Sequence, residues 1–405
     1  QSLINRAAFY MGIQIDMFGD FSMFLLLFDG VKLDSLKVTE EEINEAYASV
    51  DKELLEALQE AHDNIKKFHQ KQLQKSFIVN EEAGKIVGQV VNPIEKVGIY
   101  VPGGTAPLPS TVLMNAVPAK VAGVSKIVMT TPPAKNGKIN PVILAAAKIA
   151  GVTDIFKLGG AQAIGALANG TESVPKVYKI VGPGNIYVAM AKKQVFGSVD
   201  IDMVAGPSEV LVIADAKANP RYIAADLLSQ AEHDTLACSI LLTPSQDIAE
   251  KVAVEVDKQL AKLSRNEIAK KSIESYGRIV VTETMEEAID LANEIAPEHL
   301  ELAVENPFDY LNKIRNAGAI FLGEYSPEPL GDYFAGPNHT LPTSGTAKFA
   351  SPLSVDAFIK KSSVIYYTRE ALSSVKDKII RIAESETLTA HANSIRVRFE
   401  SDEDE

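Results

Sequence analysis

Between residues 97 and 215 the sequence alternates short apolar segments with helix-like segments. The apolar segments, such as VGIYV at 97–101 and VLVIA at 210–214, are hydrophobic throughout rather than at every second residue. Strands of this kind are buried on both faces, which is typical of a parallel sheet with helices packed on either side. The alternation therefore predicts a doubly wound, Rossmann-like α/β domain.

A second alternation of helices and strands follows from residue 220, with the apolar segments SILLT, LELAV and AIFLG. A chain of 405 residues is long enough for two or three domains. We therefore predict an α/β fold of two Rossmann-like, doubly wound domains, with a helical N-terminal segment and a small helical C-terminal domain. The expected boundaries are 1–38 for the N-terminal segment, 39–96 with 210–351 for the first α/β domain, 97–209 for the second, and 352–405 for the C-terminal segment.

The segment from Thr39 to Gln72 contains no Gly or Pro and begins with a capping box formed by Thr39 and Glu42. This pattern predicts one long amphipathic helix, with His62 and His69 on its charged surface. Beyond residue 325 the chain is rich in turn residues, and a loop of that length is typical of a functional segment.

The composition limits the kinds of partner. The net charge is −13 without any basic patch, which argues against nucleic acid and anionic membrane surfaces. The apolar stretch FSMFLLLF at 21–28 is far shorter than a bilayer span and lacks the flanks of a signal peptide. We interpret it as a buried or interface helix, and we expect a small-molecule substrate.

Cys238 is the only cysteine, which excludes an intrachain disulfide and a cluster of thiolate ligands and fits a reducing compartment. A covalent thiol mechanism is the rival interpretation of this residue. Its neighbours in LACSILLT predict a buried strand, where a thiol has a raised pKa and is unreactive. We therefore interpret Cys238 as structural.

Glycine-rich turns follow three of the predicted strands. They contain Gly103 with Gly104, Gly159 with Gly160, and Gly182 with Gly184. At that edge of a parallel sheet, helix N-termini present free N–H groups to anions. None of the turns is a full G-x-G-x-x-G, and any parallel sheet needs turns there, so the pattern leaves nucleotide binding open. Gln162 and Asn185 are the polar residues positioned to contact a ligand.

Four of the six histidines lie in polar junctions rather than on helix faces or apolar strands. They are His233, His299, His339 and His391. Gln230 shares a helix face with His233, a spacing that can hold a metal but also suits a helix cap. Glu298 beside His299 can act as acid and base, or form a structural ion pair. The common position of the histidines favours a shared metal or catalytic site.

Carboxylates lie in the same junctions. Asp332, next to Tyr333, can reach a metal from its loop, although an Asp in a turn also accepts backbone N–H bonds. Glu386 precedes His391 between two polar turns near the C-terminus. These residues extend the candidate site.

Together the motifs resemble the histidinol dehydrogenase family. They occur in the family's order and extend from about residue 90 to residue 398. The segments are PIEKVGIYVPGGTAPLPSTVLMNAVPAKVAG, GGAQAI, VPKVYKIVGPGN, IDMVAGPSEVLVIAD, DLLSQAEHD, APEHLEL, GDYFAGPNHTLPTSGTAKFASPLSV and ETLTAH. The length of these matches makes the resemblance specific.

The resemblance implies a four-electron oxidation of L-histidinol to L-histidine with two NAD⁺, through the aldehyde, as the last step of histidine biosynthesis. It also implies one catalytic Zn²⁺ per subunit. The implied zinc ligands are Gln230, His233, Asp332 and His391. His299 then takes the hydroxyl proton as hydride leaves, and Glu298 activates the water that hydrates the aldehyde.

Further residues match binding positions of the family. Besides the zinc ligands and His299, the implied substrate contacts are Ser208, Tyr333, His339 and Glu386. The implied NAD contacts, on the domain at 97–209, are Tyr100, Gln162 and Asn185. The first α/β domain then carries the zinc and the catalytic residues.

Family members are intertwined homodimers in which the C-terminal Glu and His of one subunit reach the other subunit's site. By this resemblance, 352–405 is a dimerisation segment whose Glu386 and His391 complete the partner's site. The expected compartment is the cytoplasm, or a plastid for a plant protein. The chain differs from the family near its N-terminus, where the apolar segment IDMFGDFSMFLLLFDG replaces a more polar helix. We expect this difference to affect the packing of that segment and not the site residues.

Two alternatives remain. A paralogue on the same scaffold can keep the metal ligands and oxidise another amino alcohol, because substrate choice depends on pocket shape. A non-catalytic metal or nucleotide binder has no need of Glu298 and His299, so their presence favours an enzyme.

Overall fold

The computed structural model of the protein describes residues 31–400 except Lys32, Asp34 and 104–106. Two expectations lie outside these residues: the helical N-terminal segment up to residue 30 and Gly104 in the first glycine-rich turn. Within the part that the structure describes, no helix is both long enough and apolar enough to cross a bilayer.

Helices and strands alternate along most of the described chain. The helices are α1 (Glu40–Ser49), α2 (Lys52–His69), α3 (Pro109–Ala122), α4 (Pro141–Ala150), α5 (Gly160–Asn169), α6 (Ile186–Val195), α7 (Pro220–Ala231), α8 (Gln246–Leu260), α9 (Asn266–Tyr276), α10 (Met285–Ile295), α11 (Phe308–Leu311), α12 (Glu328–Tyr333), α13 (Arg369–Ser373), α14 (Lys376–Ser385) and α15 (Thr389–Arg396). The strands are β1 (Phe77–Val79), β2 (Lys85–Pro93), β3 (Lys96–Tyr100), β4 (Lys126–Thr131), β5 (Asp154–Lys157), β6 (Lys179–Val181), β7 (Asp200–Ile201), β8 (Glu209–Ala214), β9 (Cys238–Thr243), β10 (Arg278–Val281), β11 (His299–Ala303), β12 (Ala319–Leu322) and β13 (Ile359–Tyr367).

Two five-stranded sheets are parallel throughout. The first has the strand order β5-β4-β3-β6-β7, and the second has the order β10-β9-β8-β11-β12. In each sheet the chain order reverses at one pair of strands, β3 with β6 or β8 with β11, which is the switch point of a doubly wound fold. The predicted α/β fold with two Rossmann-like sheets is confirmed.

Helices cover both faces of the second sheet, as its continuously apolar strands predict. In β8, Val210 and Val212 pack with Ile223 of α7, whereas Leu211 and Ile213 belong to a separate cluster that includes α10. Alternate residues of one strand thus point into two cores, and neither face of β8 meets solvent.

A third sheet is antiparallel and belongs to a separate unit of the chain. Strand β2 pairs with β1 on one side and with β13 on the other. This unit holds residues 74–93 and 359–405, and the other unit holds residues 94–358 with the described chain before residue 74. The predicted small helical C-terminal domain does contain α13, α14 and α15, but the prediction omitted strand β13. Most residues of IKKSSVIYY are exposed, so no buried face imposes an alternating pattern on that strand.

The predicted long helix is in fact two helices. α1 begins with the predicted capping box, in which the side chains of Thr39 and Glu42 each accept the other residue's backbone N–H. It ends at Ser49, and Asp51 then accepts the Leu54 N–H at 3.0 Å to begin α2. An Asp side chain that caps the start of a new helix favours ending the preceding helix before it. The prediction of one long helix did not take Asp51 into account as such a cap.

The prediction that both histidines of this segment are surface residues is wrong for His69. His69 is fully buried, its Nδ1 lies 2.7 Å from Gln72 Oε1, and burial lowers its pKa. His62 is half-buried, and its Nδ1 lies 2.8 Å from Asp63 Oδ1. Among the described residues, neither histidine belongs to a group of three metal-type donors.

A buried ion pair fixes the glycine-rich turn after β6. Lys192 and Asp202 form the pair, Lys192 Nζ donates to the Gly182 carbonyl at 2.9 Å, and Asp202 Oδ2 accepts the Gly182 N–H at 2.8 Å. Gly182 has φ 113°, and a Cβ atom there would lie 2.1 Å from the Tyr100 carbonyl oxygen. The turn can therefore be formed only by glycine, and its two polar backbone groups are both satisfied from inside the domain.

We expect Lys192→Met to lower the free energy of unfolding by about 3–5 kcal/mol, because it leaves the buried Asp202 carboxylate without its partner. Urea unfolding followed by circular dichroism measures the change. Lys193→Met removes an exposed lysine from the same helix turn and is expected to change stability by less than about 0.5 kcal/mol. Equal unfolding midpoints for the two variants would contradict the assignment.

Candidate active site

The predicted acid–base pair lies where the chain passes from α10 into β11. Ala296 ends the helix in the left-handed region with φ 55°, and His299 is the first residue of the strand. Glu298 and His299 are 6% and 4% exposed, so both ionisable side chains are inside the protein. His299 Nδ1 lies 3.7 Å from Glu298 Oε2, which brings the two predicted residues together.

Glu209, the first residue of β8, orients both members of this pair. Its carbonyl oxygen lies 2.9 Å from His299 Nδ1, and its N–H donates to Glu298 Oε2 at 2.9 Å. Because a carbonyl can only accept, neutral His299 carries its hydrogen on Nδ1 and offers Nε2 as the proton acceptor. Nε2 is buried and has no hydrogen-bond partner among the described residues.

Acidic neighbours make His299 a strong proton acceptor. Burial by itself lowers the pKa of His299, but Glu298, Asp332 and Glu328 outweigh this effect and raise the pKa to about 10. Asp332 acts from the side of Nε2, with Oδ1 at 3.7 Å. A cation bound beside Asp332 would oppose these carboxylates and lower the pKa of His299.

The carboxyl group of Glu298 titrates in a range useful for acid–base chemistry. Burial raises the pKa of Glu298 to about 7, and the charge of His299 opposes only part of that rise. The Glu209 carboxylate in turn accepts the Ser344 N–H at 3.0 Å, which connects the pair to the loop after α12. Ser208, a predicted substrate contact, directly precedes Glu209 and is half-buried.

Three side chains near this pair form a group of metal-type donors. One donor atom from each of His233, Glu328 and Asp332 lies within 4.8 Å of the other two. Gln230, one turn before His233, is 1% exposed, and neither its side-chain oxygen nor its nitrogen has a hydrogen-bond partner among the described residues. Buried amide groups are almost always paired, so this amide points to a ligand or an ion as its partner.

The protonation states of these donors suit a cation. Burial would raise the pKa of Asp332, but His299 and His339 lower it to about 2, so its carboxylate is ionised. Burial lowers the pKa of His233, which keeps the imidazole neutral and able to coordinate. Burial raises the pKa of Glu328 to about 8. The sequence analysis missed Glu328, although it lies four residues before Asp332 and thus on the same helix face.

The remaining predicted substrate residues fall into two groups. His339 Nδ1 lies 3.1 Å from the Asp332 carbonyl oxygen, and Tyr333 is the next residue along α12, so both belong to the same cluster. Glu386 and His391 lie in the C-terminal unit, at the end of α14 and in α15, and both are exposed there. The structure therefore joins His339 and Tyr333 to the metal-type donors within one unit.

The predicted cofactor residues share one edge of the first sheet. The Tyr100 hydroxyl accepts the Gly160 N–H at 3.1 Å, which connects the end of β3 to the start of α5. Gln162 is buried in the first turn of α5, and Asn185 caps α6 by accepting two of its N–H groups. Tyr100 is the last residue of β3, and Gln162 and Asn185 follow the carboxyl ends of β5 and β6. The switch point of this sheet lies between β3 and β6.

Cys238 behaves as a structural residue. Its thiol donates to the Tyr276 carbonyl at 3.5 Å, and burial raises its pKa. A thiol of raised pKa is a poor nucleophile, in agreement with the interpretation from the sequence.

This arrangement defines a class of protein: an α/β enzyme that combines a buried histidine–glutamate pair with a group of metal-type donors and a second, glycine-rich sheet edge. The sequence profile of one family, described as histidinol dehydrogenase, matches residues 21–399. The chain therefore belongs to the histidinol dehydrogenase family and is an oxidoreductase.

Individual relatives agree with this assignment. The chain is 61% identical over 372 residues to histidinol dehydrogenase of Clostridium acetobutylicum, which covers 92% of this chain and 86% of the relative. It is 60% identical over 375 residues to the enzyme of Listeria monocytogenes, with 93% and 88% covered. The crystal structure of histidinol dehydrogenase from Elizabethkingia anophelis matches with a TM-score of 0.93 at 44% identity and covers 97% of this chain and 91% of that one.

The raised pKa of Glu298 predicts a pH-dependent difference in stability between wild type and Glu298→Gln. Between pH 4.5 and about 7 the folded protein binds a proton that the unfolded chain does not, so wild type loses stability as the pH rises. The free energy of unfolding of wild type decreases by roughly 3 kcal/mol over this range. The Glu298→Gln variant does not show this decrease, because Gln cannot ionise.

We therefore expect the stability of Glu298→Gln relative to wild type to increase by roughly 3 kcal/mol across this range. Urea unfolding at several pH values measures the difference. Glu294→Gln, on an exposed position of α10, is the matched control and is expected to show no such trend. A stability difference between Glu298→Gln and wild type that does not change with pH would refute the raised pKa of the buried Glu298 carboxyl group.

Proposed function

We propose that the protein oxidises L-histidinol to L-histidine in two NAD⁺-linked steps, through the aldehyde, as the last step of histidine biosynthesis. One observation carries the proposal: His299 Nε2 is buried, has no hydrogen-bond partner in the described part of the chain, and faces Asp332, one of the metal-type donors. Family membership supplies the substrate class, and the geometry supplies a base beside a cation site.

The side chains present fit a zinc ion. Gln230, His233 and Asp332 would hold it from one subunit, and His391 would complete the set from the C-terminal segment of the partner. The unpartnered amide of Gln230, the neutral imidazole of His233 and the ionised Asp332 support this assignment. When bound, zinc anchors the imidazole and amino nitrogens of the substrate and so fixes the alcohol carbon near the base.

His299 and Glu298 then perform the proton transfers. In the first oxidation, His299 Nε2 accepts the hydroxyl proton while the carbon loses hydride and becomes an aldehyde. Glu298 next accepts a proton from the water that adds to the aldehyde and forms a hydrate. In the second oxidation the hydrate loses hydride to a second NAD⁺ and a hydroxyl proton to the His299–Glu298 pair, and the resulting carboxylic acid then ionises to the carboxylate. Glu209 keeps both groups in place through its backbone N–H and carbonyl.

Other residues position the substrate and the cofactor. Ser208, Tyr333, His339 and the partner-directed Glu386 are the proposed substrate contacts. NAD⁺, held by Tyr100, Gln162 and Asn185, supplies the hydride acceptor. The position of those three residues at the carboxyl edge of a parallel sheet, beside the N-termini of α5 and α6, supports this role.

The proposed organisation follows from these roles. Residues 97–209 bind NAD, 39–96 with 210–351 carry the zinc and catalytic residues, 1–38 form an N-terminal segment, and 352–405 form the dimerisation segment. A cytoplasmic homodimer with two shared sites is the proposed working form. The acidic net charge of −13 agrees with a small-molecule enzyme that binds no nucleic acid.

Counting NADH tests the four-electron chemistry. With limiting L-histidinol, we expect two NADH per molecule, because both oxidations occur in one site. A chelator is expected to abolish the reaction, and added zinc is expected to restore it. One NADH per molecule would contradict the second oxidation, and no NADH from zinc-loaded protein would favour oxidation of another amino alcohol.

Replacing the base tests its role separately from the metal. We expect His299→Asn to lower the rate of hydride transfer by about 10²–10⁴-fold, the usual contribution of a general base, and to leave zinc content unchanged. Stopped-flow NADH formation and metal analysis measure the two quantities. His62→Asn, at a half-buried position on α2, is the control and is expected to retain wild-type turnover. Wild-type turnover by His299→Asn would refute the assignment.

A further inference from the structure

A second group of buried acids lies behind the proposed metal site. Glu301 is 4% exposed and lies two residues after His299 in β11, so it points to the same face of the strand. Its Oε1 accepts the Glu328 N–H at 2.8 Å, and the nearby carboxyl group of Asp226 on α7 contributes to the raised pKa of Glu301. Glu301 and Asp226 have no role in the function proposed above.

Glu328 extends this group toward the proposed ligands. Its side chain is buried, and Ser229 Oγ, in the residue before Gln230, donates to its Oε2 at 3.3 Å. One of its carboxyl oxygens lies within 4.8 Å of a donor atom of Asp332. The acids therefore connect the three elements that carry the site: β11 with His299, α7 with Gln230, and α12 with Asp332.

The start of α12 depends on this connection. The helix has six residues, the preceding Pro327 provides no side-chain cap, and Pro329 in the first turn has no N–H. The Glu328 N–H is therefore a free donor of the first turn, and Glu301 satisfies it. A buried carboxylate from a neighbouring strand takes the place of the missing cap.

The spacings along the two elements match. Four residues of helix rise about 6 Å, and two residues of strand rise about 6.6 Å. Glu301 accepts the Glu328 N–H, and His299 Nε2 lies 3.7 Å from Asp332 Oδ1. α12 therefore contacts β11 at two points, and the spacing between these points is similar along the helix and along the strand. When α12 is fixed at Glu328, Asp332 is therefore placed beside His299.

We propose that Glu301 is a positioning residue for Asp332: by accepting the Glu328 N–H it fixes α12 and so presets the proposed metal ligand. The inference rests on the proposed zinc site. A positioning role differs from a merely structural role of Glu301 in its effect on metal binding. Loss of positioning weakens metal binding more than it lowers the stability of the fold.

The test compares three variants of the full-length protein by zinc affinity, measured in competition with a chromophoric chelator. Glu301→Gln keeps an acceptor oxygen and is expected to bind zinc within about threefold of wild type. Glu301→Met removes the acceptor and is expected to weaken zinc binding by about 10–100-fold. Glu301→Asp shortens the side chain by one methylene, so its carboxyl group no longer reaches the Glu328 N–H, and we expect weaker zinc binding than in wild type. This polar variant serves as the test if Glu301→Met fails to fold.

Hydrogen exchange at the Glu328 amide is a readout that needs no metal. We expect faster exchange of this amide in Glu301→Met and Glu301→Asp, and wild-type exchange in Glu301→Gln. Glu294→Met, at an exposed position of α10, is the matched control and is expected to change neither quantity.

The outcomes separate the inference from the proposed function. Wild-type zinc affinity in both Glu301→Met and Glu301→Asp would overturn the positioning role and leave the zinc site intact. Absence of zinc binding by wild type would overturn the zinc site, and in that case the exchange of the Glu328 amide still decides whether Glu301 holds α12.

Discussion

The parallel pairing of β8 with β11 is the constraint on which the active site depends. It places His299 opposite Val210 and brings together two segments 90 residues apart in sequence. In this register the N–H and the carbonyl of Glu209 reach the two members of the proposed acid–base pair. Because these contacts use the backbone, they orient the histidine through the geometry of the sheet itself, and no separate carboxylate is needed to select its tautomer.

Buried charge explains why so many acids and histidines share this region. Glu298 and Glu301 are almost fully inside the protein, and so is Glu328, where an isolated carboxylate is strongly unfavourable. The pKa of each is raised by burial, whereas the histidines hold the pKa of Asp332 at about 2. The ionised Asp332, the buried carboxyl groups near it and the Gln230 amide, which has no hydrogen-bond partner among the described residues, form an environment that a divalent cation stabilises.

The sequence predicts the parts of this structure that leave a local pattern. Both parallel sheets follow from continuously apolar strands, and the polar junctions indicate Glu298, His299 and Asp332. Strand β13 is missed because its pairing with β2 spans about 270 residues and both its faces are largely exposed. Glu209 is missed because its role lies in backbone hydrogen bonds that no residue type encodes. Glu301 does leave a signal, since LELAV has a carboxylate inside an otherwise apolar strand.

The two parallel sheets present opposite edges to their proposed ligands, and helix electrostatics gives the reason. At the carboxyl edge of the first sheet, α5 and α6 begin, and the partial positive charge of helix N-termini suits the phosphates of a dinucleotide. At the amino edge of the second sheet, where β8 and β11 begin, α7 ends with Gln230 in its last turn. The partial negative charge of a helix C-terminus favours a cation there. A doubly wound sheet thus provides an anion-binding edge and a cation-binding edge, and this chain has polar side chains at one edge of each sheet.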